Sequence, residues 1–99
     1  MRLAERSVLV LTSLAGADRH GYALIKDIES FSGVTLSPGT LYGALAKLEA
    51  DGLVERLPAE DRRYPYTLTP AGRAVLAERL AESARIASVG LERIALGHA

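Results

Sequence analysis

The sequence predicts a mostly helical α+β fold in which three helices lead into a two-stranded hairpin and a long fourth helix closes the chain. Three observations carry that expectation. Apolar residues recur at helical spacing in three separate stretches of the N-terminal half and again in the last third. Ser37-Pro38 and Thr69-Pro70 repeat one helix-start signal: a hydroxyl that accepts from an orphaned N–H, then a proline where a missing N–H leaves nothing unpaired. Between the third and fourth helical stretches, two short runs rich in strand-forming residues flank a charged turn.

The elements follow in order. Ala4, Val8, Leu11 and Leu14 form the stripe of a first helix, which ends in the break at 16–18. A second helix begins near Gly21, with Leu24, Ile25, Ile28 and Phe31 on its apolar side. Lys26, Asp27 and Glu29 face the other way, and Gly33 is the C-cap. After the linker 34–36, a third helix starts at Ser37-Pro38, buries Leu41, Leu45 and Leu48, and stops at Asp51-Gly52. Two helices joined so tightly behind a supporting first one make a helix-turn-helix arrangement whose second member reads DNA. Strands are expected at 53–57 and 64–68 around the turn 58–63, with Pro65 confined to an edge or an irregularity because it cannot donate to a ladder. The last helix opens at Thr69-Pro70 and runs to about Leu96, with Gly90 a weak point. The whole is a winged helix-turn-helix, divided into a DNA-binding part at 1–69 and a dimerisation helix at 70–99.

Composition narrows the function. With 99 residues, 48% hydrophobic and 24% charged, the chain suits one compact domain. A domain of this size buries only somewhat more than about 60% of its unfolded surface and gains from sharing apolar area with a second copy. The absence of cysteine excludes disulfides, thiolate metal sites and cysteine nucleophiles, and is compatible with a cytoplasmic location. The apolar run near the N-terminus is interrupted by Thr12 and Ser13 and reads as a core helix, not a leader or a membrane span. The two histidines, His20 and His98, offer neither paired-ligand spacing nor a Ser-His-Asp set, and no glycine-rich phosphate loop occurs. Neither catalysis, nor a bound metal, nor a cofactor is expected. Net charge is +0, and the first 69 residues hold eight Lys or Arg against nine Asp or Glu. A claim of DNA binding therefore rests on where charges sit, not on how many there are.

Four pieces in order carry a family resemblance: His20-Gly21-Tyr22; Ser37-Pro38-Gly39-Thr40-Leu41-Tyr42; Leu45-x-x-Leu48-Glu49-x-x-Gly52-Leu53-Val54; and Tyr64-x-Tyr66-x-Leu68-Thr69-x-x-Gly72. Across roughly 8–76 the chain resembles the PadR family of regulators. The resemblance implies a winged-helix dimer that represses promoters on duplex DNA and is released by a small-molecule effector, often aromatic or multidrug-like. Tyr22 is a candidate DNA contact that stays open between contact and packing, and the resemblance lends its weight to Arg62 and Arg63.

Chemistry assigns roles beside that resemblance. The amino end of the third helix suits a phosphate, with Gly39 letting the backbone approach and Ser37, Thr40 and Tyr42 adding hydroxyls. Tyr42 and Gly43 lie off the buried stripe and Lys47 about a turn further on, toward the groove or its flanking phosphates. Arg62 and Arg63, the only adjacent basic pair in the chain, occupy the hairpin turn and can reach the backbone or a narrow minor groove. Plainer readings stand beside these. Ser37-Pro38 suffices as a helix start, the tyrosines as packing, and the arginines as a solvated tip screened by Glu60-Asp61. Leu76, Leu80, Ala87, Leu91 and Ile94 share the face of the last helix assigned to a homodimer seam, with Ile86 and Val89 off it. The partners expected are thus a pseudo-palindromic operator, a second copy and an effector near the seam. The rival reading is a winged helix that docks another protein, which the neutral charge favours.

Overall fold

The computed structural model describes residues 2–97, which extend over 54 × 25 × 20 Å; His98 lies outside them. The elements run α1 (Glu5–Gly16), α2 (Gly21–Ser32), α3 (Pro38–Ala50), β1 (Val54–Arg56), β2 (Tyr66–Leu68) and α4 (Pro70–Ala95). This is the mostly helical α+β winged helix-turn-helix that the sequence predicts.

One apolar cluster joins all six elements: Val10 and Leu11 of α1, Leu24 and Ile28 of α2, Leu41, Leu45 and Leu48 of α3, Val54 and Leu68 of the hairpin, and Leu76 of α4. Burying each large aliphatic side chain contributes about 1.5–3 kcal/mol. Ser13 of α1 is as buried as its apolar neighbours and donates its hydroxyl to Asp27 Oδ2 at 2.6 Å. Asp27 is half-buried and also meets Arg19 Nε at 3.6 Å, while Arg19 Nε donates to the Ser13 carbonyl at 3.2 Å. Asp27 therefore turns inward, not outward as its place beside Lys26 suggests, because a buried hydroxyl on the neighbouring helix needs an acceptor. Phe31, expected on the buried stripe of α2, stays half-exposed at the helix end.

Both hydroxyl-proline signals mark true helix starts. Ser37 Oγ accepts from Thr40 N at 3.2 Å, and Thr69 Oγ1 accepts from Gly72 N at 3.0 Å while donating to the Gly52 carbonyl at 2.7 Å. At Gly72 a side chain has no room, since a Cβ would overlap the Leu53 carbonyl. That close approach welds the start of α4 to the base of the hairpin. Gly90 does not interrupt α4, which is continuous to Ala95.

The strands are shorter than the expected 53–57 and 64–68. They pair antiparallel with Val54 opposite Leu68, Glu55 opposite Thr67 and Arg56 opposite Tyr66. Leu57 N still donates to the Pro65 carbonyl at 2.8 Å, but Pro65 has no N–H to return and the ladder ends there. A third participant escapes the sequence pattern. Arg19 exchanges both backbone hydrogen bonds with Tyr66, at 3.1 and 2.8 Å, on the far edge of β2. Among the described residues no helix is long and apolar enough to cross a membrane.

Candidate nucleic-acid interface

The pleat of the hairpin builds the site. Alternation places Val54 with Arg56, and Leu68 with Tyr66 and then Tyr64, on one face. At the base of the wing that face is covered: Val54, Leu68 and Tyr66 are buried. Further out the same face overhangs the start of α2 and the side of α3, where Arg56 lies 4.5 Å above the Tyr64 ring. The overhang leaves an open cleft of about 370 Å³ lined by His20, Tyr22, Tyr42, Arg56, Arg62 and Arg63, with Gly21, Tyr64 and Tyr66 completing it. All four tyrosines of the chain line this one cleft.

Burial, reinforced by the Glu49 carboxylate, pushes the Tyr66 phenol above its ordinary value. Glu49 also accepts from the Arg56 backbone N–H at 3.3 Å, so the end of α3 holds the wing by one hydrogen bond. The Tyr42 ring leans over Gly21, where a Cβ would overlap its hydroxyl. Tyr42 is thus half-exposed, with one edge against α2 and the other free.

The tip is tighter than the six-residue turn expected. Glu60 and Arg63 exchange backbone hydrogen bonds at 2.7 and 2.9 Å, leaving a two-residue turn with Asp61 at φ 50° and Arg62 at φ 66°. Positive φ at both central positions is the hairpin geometry that matches strand twist and that favours Asn-Gly or Asp-Gly. Here an arginine stands where glycine is preferred.

Charge placement answers the objection raised by the neutral total. Lys47, expected to face DNA, is ion-paired with Asp51 at 3.3 Å, Arg19 with Asp27 and Arg79 with Glu5. Arg56, Arg62 and Arg63 have no ion-pair partner among the described residues. Three arginines without an ion-pair partner thus share the lining of one cleft, whatever the net charge of the whole. Beside it, Tyr22 is 64% exposed with Lys26 Nζ 5.6 Å from its ring centroid. Ser37, Gly39 and Thr40 lie together in the first turn of α3, whose Thr40 and Leu41 amides are already taken by Ser37. Gly39 and Gly43 have open space where a Cβ would stand, so nothing among the described residues requires glycine at either helical position. Sequence reasoning missed Arg56, which belongs to no local motif, and gave no contact role to His20 although it opens the His20-Gly21-Tyr22 motif.

Residues 10–78 match the family described as the transcriptional regulator PadR-like family. The chain belongs to the PadR-like family. It is 43% identical over 84 residues to a transcriptional regulator of Mycobacterium tuberculosis, covering 79% of this chain and 78% of that protein. It is 48% identical over 86 residues to a 37.1 kDa protein in a transposon of Streptomyces fradiae, covering 87% of this chain and 25% of that protein. The chain thus spans a quarter of the transposon protein's length. Among solved structures it resembles a PadR family transcription regulator from Clostridium difficile, with a TM-score of 0.82 and 25% identity over 92% of this chain and 99% of that one. A transcriptional regulator from Clostridium thermocellum gives a TM-score of 0.76 and 27% identity over 87% and 89%. Family and fold are those of PadR-like transcription regulators.

One part of the expected dimer seam is not available. Leu76 is buried in the core of its own domain, as the residue by which α4 joins the apolar cluster. Leu80, Ala87, Leu91 and Ile94 are exposed, as are Ile86 and Val89.

Proposed function

We propose that this PadR-like chain is a cytoplasmic, homodimeric repressor that binds a pseudo-palindromic DNA operator through the wing and α3 and is released by a small molecule. The observation that carries the DNA reading is the group of unpaired arginines, Arg56, Arg62 and Arg63, on a cleft beside the exposed flank of α3. A few well-placed cations suffice for phosphate affinity whatever the net charge. Tyr22, Ser37, Gly39, Thr40 and Tyr42 then face the duplex, and Lys47 joins them by exchanging Asp51 for a phosphate.

Two copies meet through the distal part of α4, using Leu80, Ala87, Leu91 and Ile94 with Ile86 and Val89 alongside. Residues 1–69 supply the reading head and 70–99 the coupling between copies. The half-site logic of such dimers places one recognition helix in each of two successive major grooves. A hollow of about 540 Å³ between Arg2 and Leu3 on one side and Arg79, Glu82, Ser83 and Ile86 of α4 on the other adjoins that seam and offers an effector a place.

The zero net charge favours a second reading, a winged helix that docks a protein. Binding to duplexes selected from a random-sequence library, measured against salt, separates the two. The DNA reading expects log affinity to fall steeply with log salt, by about 0.9 for each phosphate neutralised. No selectable duplex, or an affinity indifferent to salt, would leave the protein-docking reading standing.

A further inference from the structure

His20 Nε2 and Arg63 Nη1 face each other at 3.4 Å. Arg19 bridges β2, and that bridge sets the next residue, His20, beside the wing. His20 Nδ1 accepts from the Ala23 amide at 3.4 Å as the cap of α2. A neutral imidazole has one acceptor nitrogen and one N–H, so the tautomer that keeps this bond carries its hydrogen on Nε2. Nε2 lies 3.4 Å from Arg63 Nη1, and a guanidinium has only donors. In that tautomer both groups offer an N–H and neither accepts, an opposition that an anionic oxygen bound by both relieves. Across the cleft the Arg56 guanidinium is steadied by the Tyr64 ring and has no ion-pair partner among the described residues.

We propose that this cleft is the seat of one DNA backbone phosphate per chain, with His20 and Arg63 donating to one nonbridging oxygen and Arg56 to the other. The inference rests on the DNA-binding reading above, adds His20 to its contact residues and gives Arg56 and Arg63 one shared phosphate. A phosphate held there carries no sequence information. Its role is to fix the register of α3 on the duplex. DNA is favoured over a free anion because the cleft is open and continuous with the exposed flank of α3, where a duplex would lie.

The test uses the whole chain and a duplex selected from a random-sequence library, with each phosphate replaced in turn by an uncharged methylphosphonate. The seat predicts one position in each half-site where neutralisation weakens binding about tenfold, as loss of charge-assisted hydrogen bonds should. His20→Asn, which retains a helix-capping acceptor, and Arg56→Gln should each weaken binding to the unmodified duplex yet change little on that one modified duplex. Circular dichroism melting confirms that both variants are folded. The seat is overturned if no single phosphate stands out, or if both variants lose as much on the modified duplex as on the unmodified one. It is equally overturned if inorganic phosphate shifts the His20 imidazole resonances while no DNA position matters. Failure to select any duplex would instead overturn the DNA-binding reading itself.

Discussion

The two halves of α4 share one helix and live in different surroundings. In the first half Gly72 and Leu76 are buried, Thr69 ties the start to Gly52, and Arg79 meets Glu5 of α1 at 3.7 Å. In the second half Ile86, Leu91 and Ile94 are 66%, 68% and 76% exposed. A helix that was needed only to finish its own core would end near Ser83. The further three turns place apolar side chains in water, and even a few hundred Å² covered there contributes several kcal/mol before association costs are subtracted. The difference teaches that α4 serves the fold at one end and an encounter at the other, so substitutions in the two halves should fail in different ways.

The largest effect belongs to the proximal half. Gly72→Val should abolish folding at ordinary temperature, because the new side chain meets the Leu53 carbonyl and backbone cannot yield as a flexible side chain can. Far-ultraviolet circular dichroism would show it, and a native melt would contradict the close approach at the hairpin base. Leu76→Ala comes next and should lose about 2–5 kcal/mol in urea unfolding, the range for a large aliphatic removed from a core. A loss below about 1 kcal/mol would mean that α4 is not part of that core.

In the distal half the expected damage is to assembly. Leu91→Glu with Ile94→Glu should leave the winged domain folded and the helical signal largely intact, yet shift the chain to a monomer in sedimentation. Affinity for a two-half-site duplex should fall on the order of a hundredfold, since the half-sites no longer bind as one unit. Loss of folding in this variant would erase the distinction between the two halves.

The smallest expected effect separates fold from binding at the wing tip. Arg62→Gly replaces a residue held at φ 66°, so relief of strain and loss of unfolded-chain restriction should offset within about 1 kcal/mol. The salt slope of DNA binding should nevertheless drop by about one unit. Arg62→Val, which removes the same cation but tolerates the left-handed region poorly, should lose stability as well. Equal melting of the two variants would remove strain from the account of the tip.

The features legible in the sequence were those written locally. Ser37-Pro38 and Thr69-Pro70 locate two helix starts to the residue, because the cap and its recipient amide are three positions apart. The apolar stripe of α3 needed only periodicity. On α1 periodicity found Val8, Leu11 and Leu14, while Ala4 is exposed ahead of the helix and the buried Val10 was not in the stripe. What escaped was set by distant partners. The bridge to β2 is a single residue, Arg19, that meets Tyr66 across 47 positions, and Asp27 turns inward for Ser13 of another helix. The site divides in the same way. Arg62 and Arg63 were visible as a basic pair in a turn, whereas Arg56 and His20 matter only because the wing folds over the start of α2. Lys47 and Leu76 were plausible on helical spacing alone and are engaged by Asp51 and by the core.

Sedimentation of the full chain at micromolar concentration, alone and with a selected duplex, tests the account most directly. It predicts a dimer in both cases and two chains on each duplex. A clean monomer alone, with one chain on each duplex, would contradict the seam on α4 and the palindromic operator inferred from it.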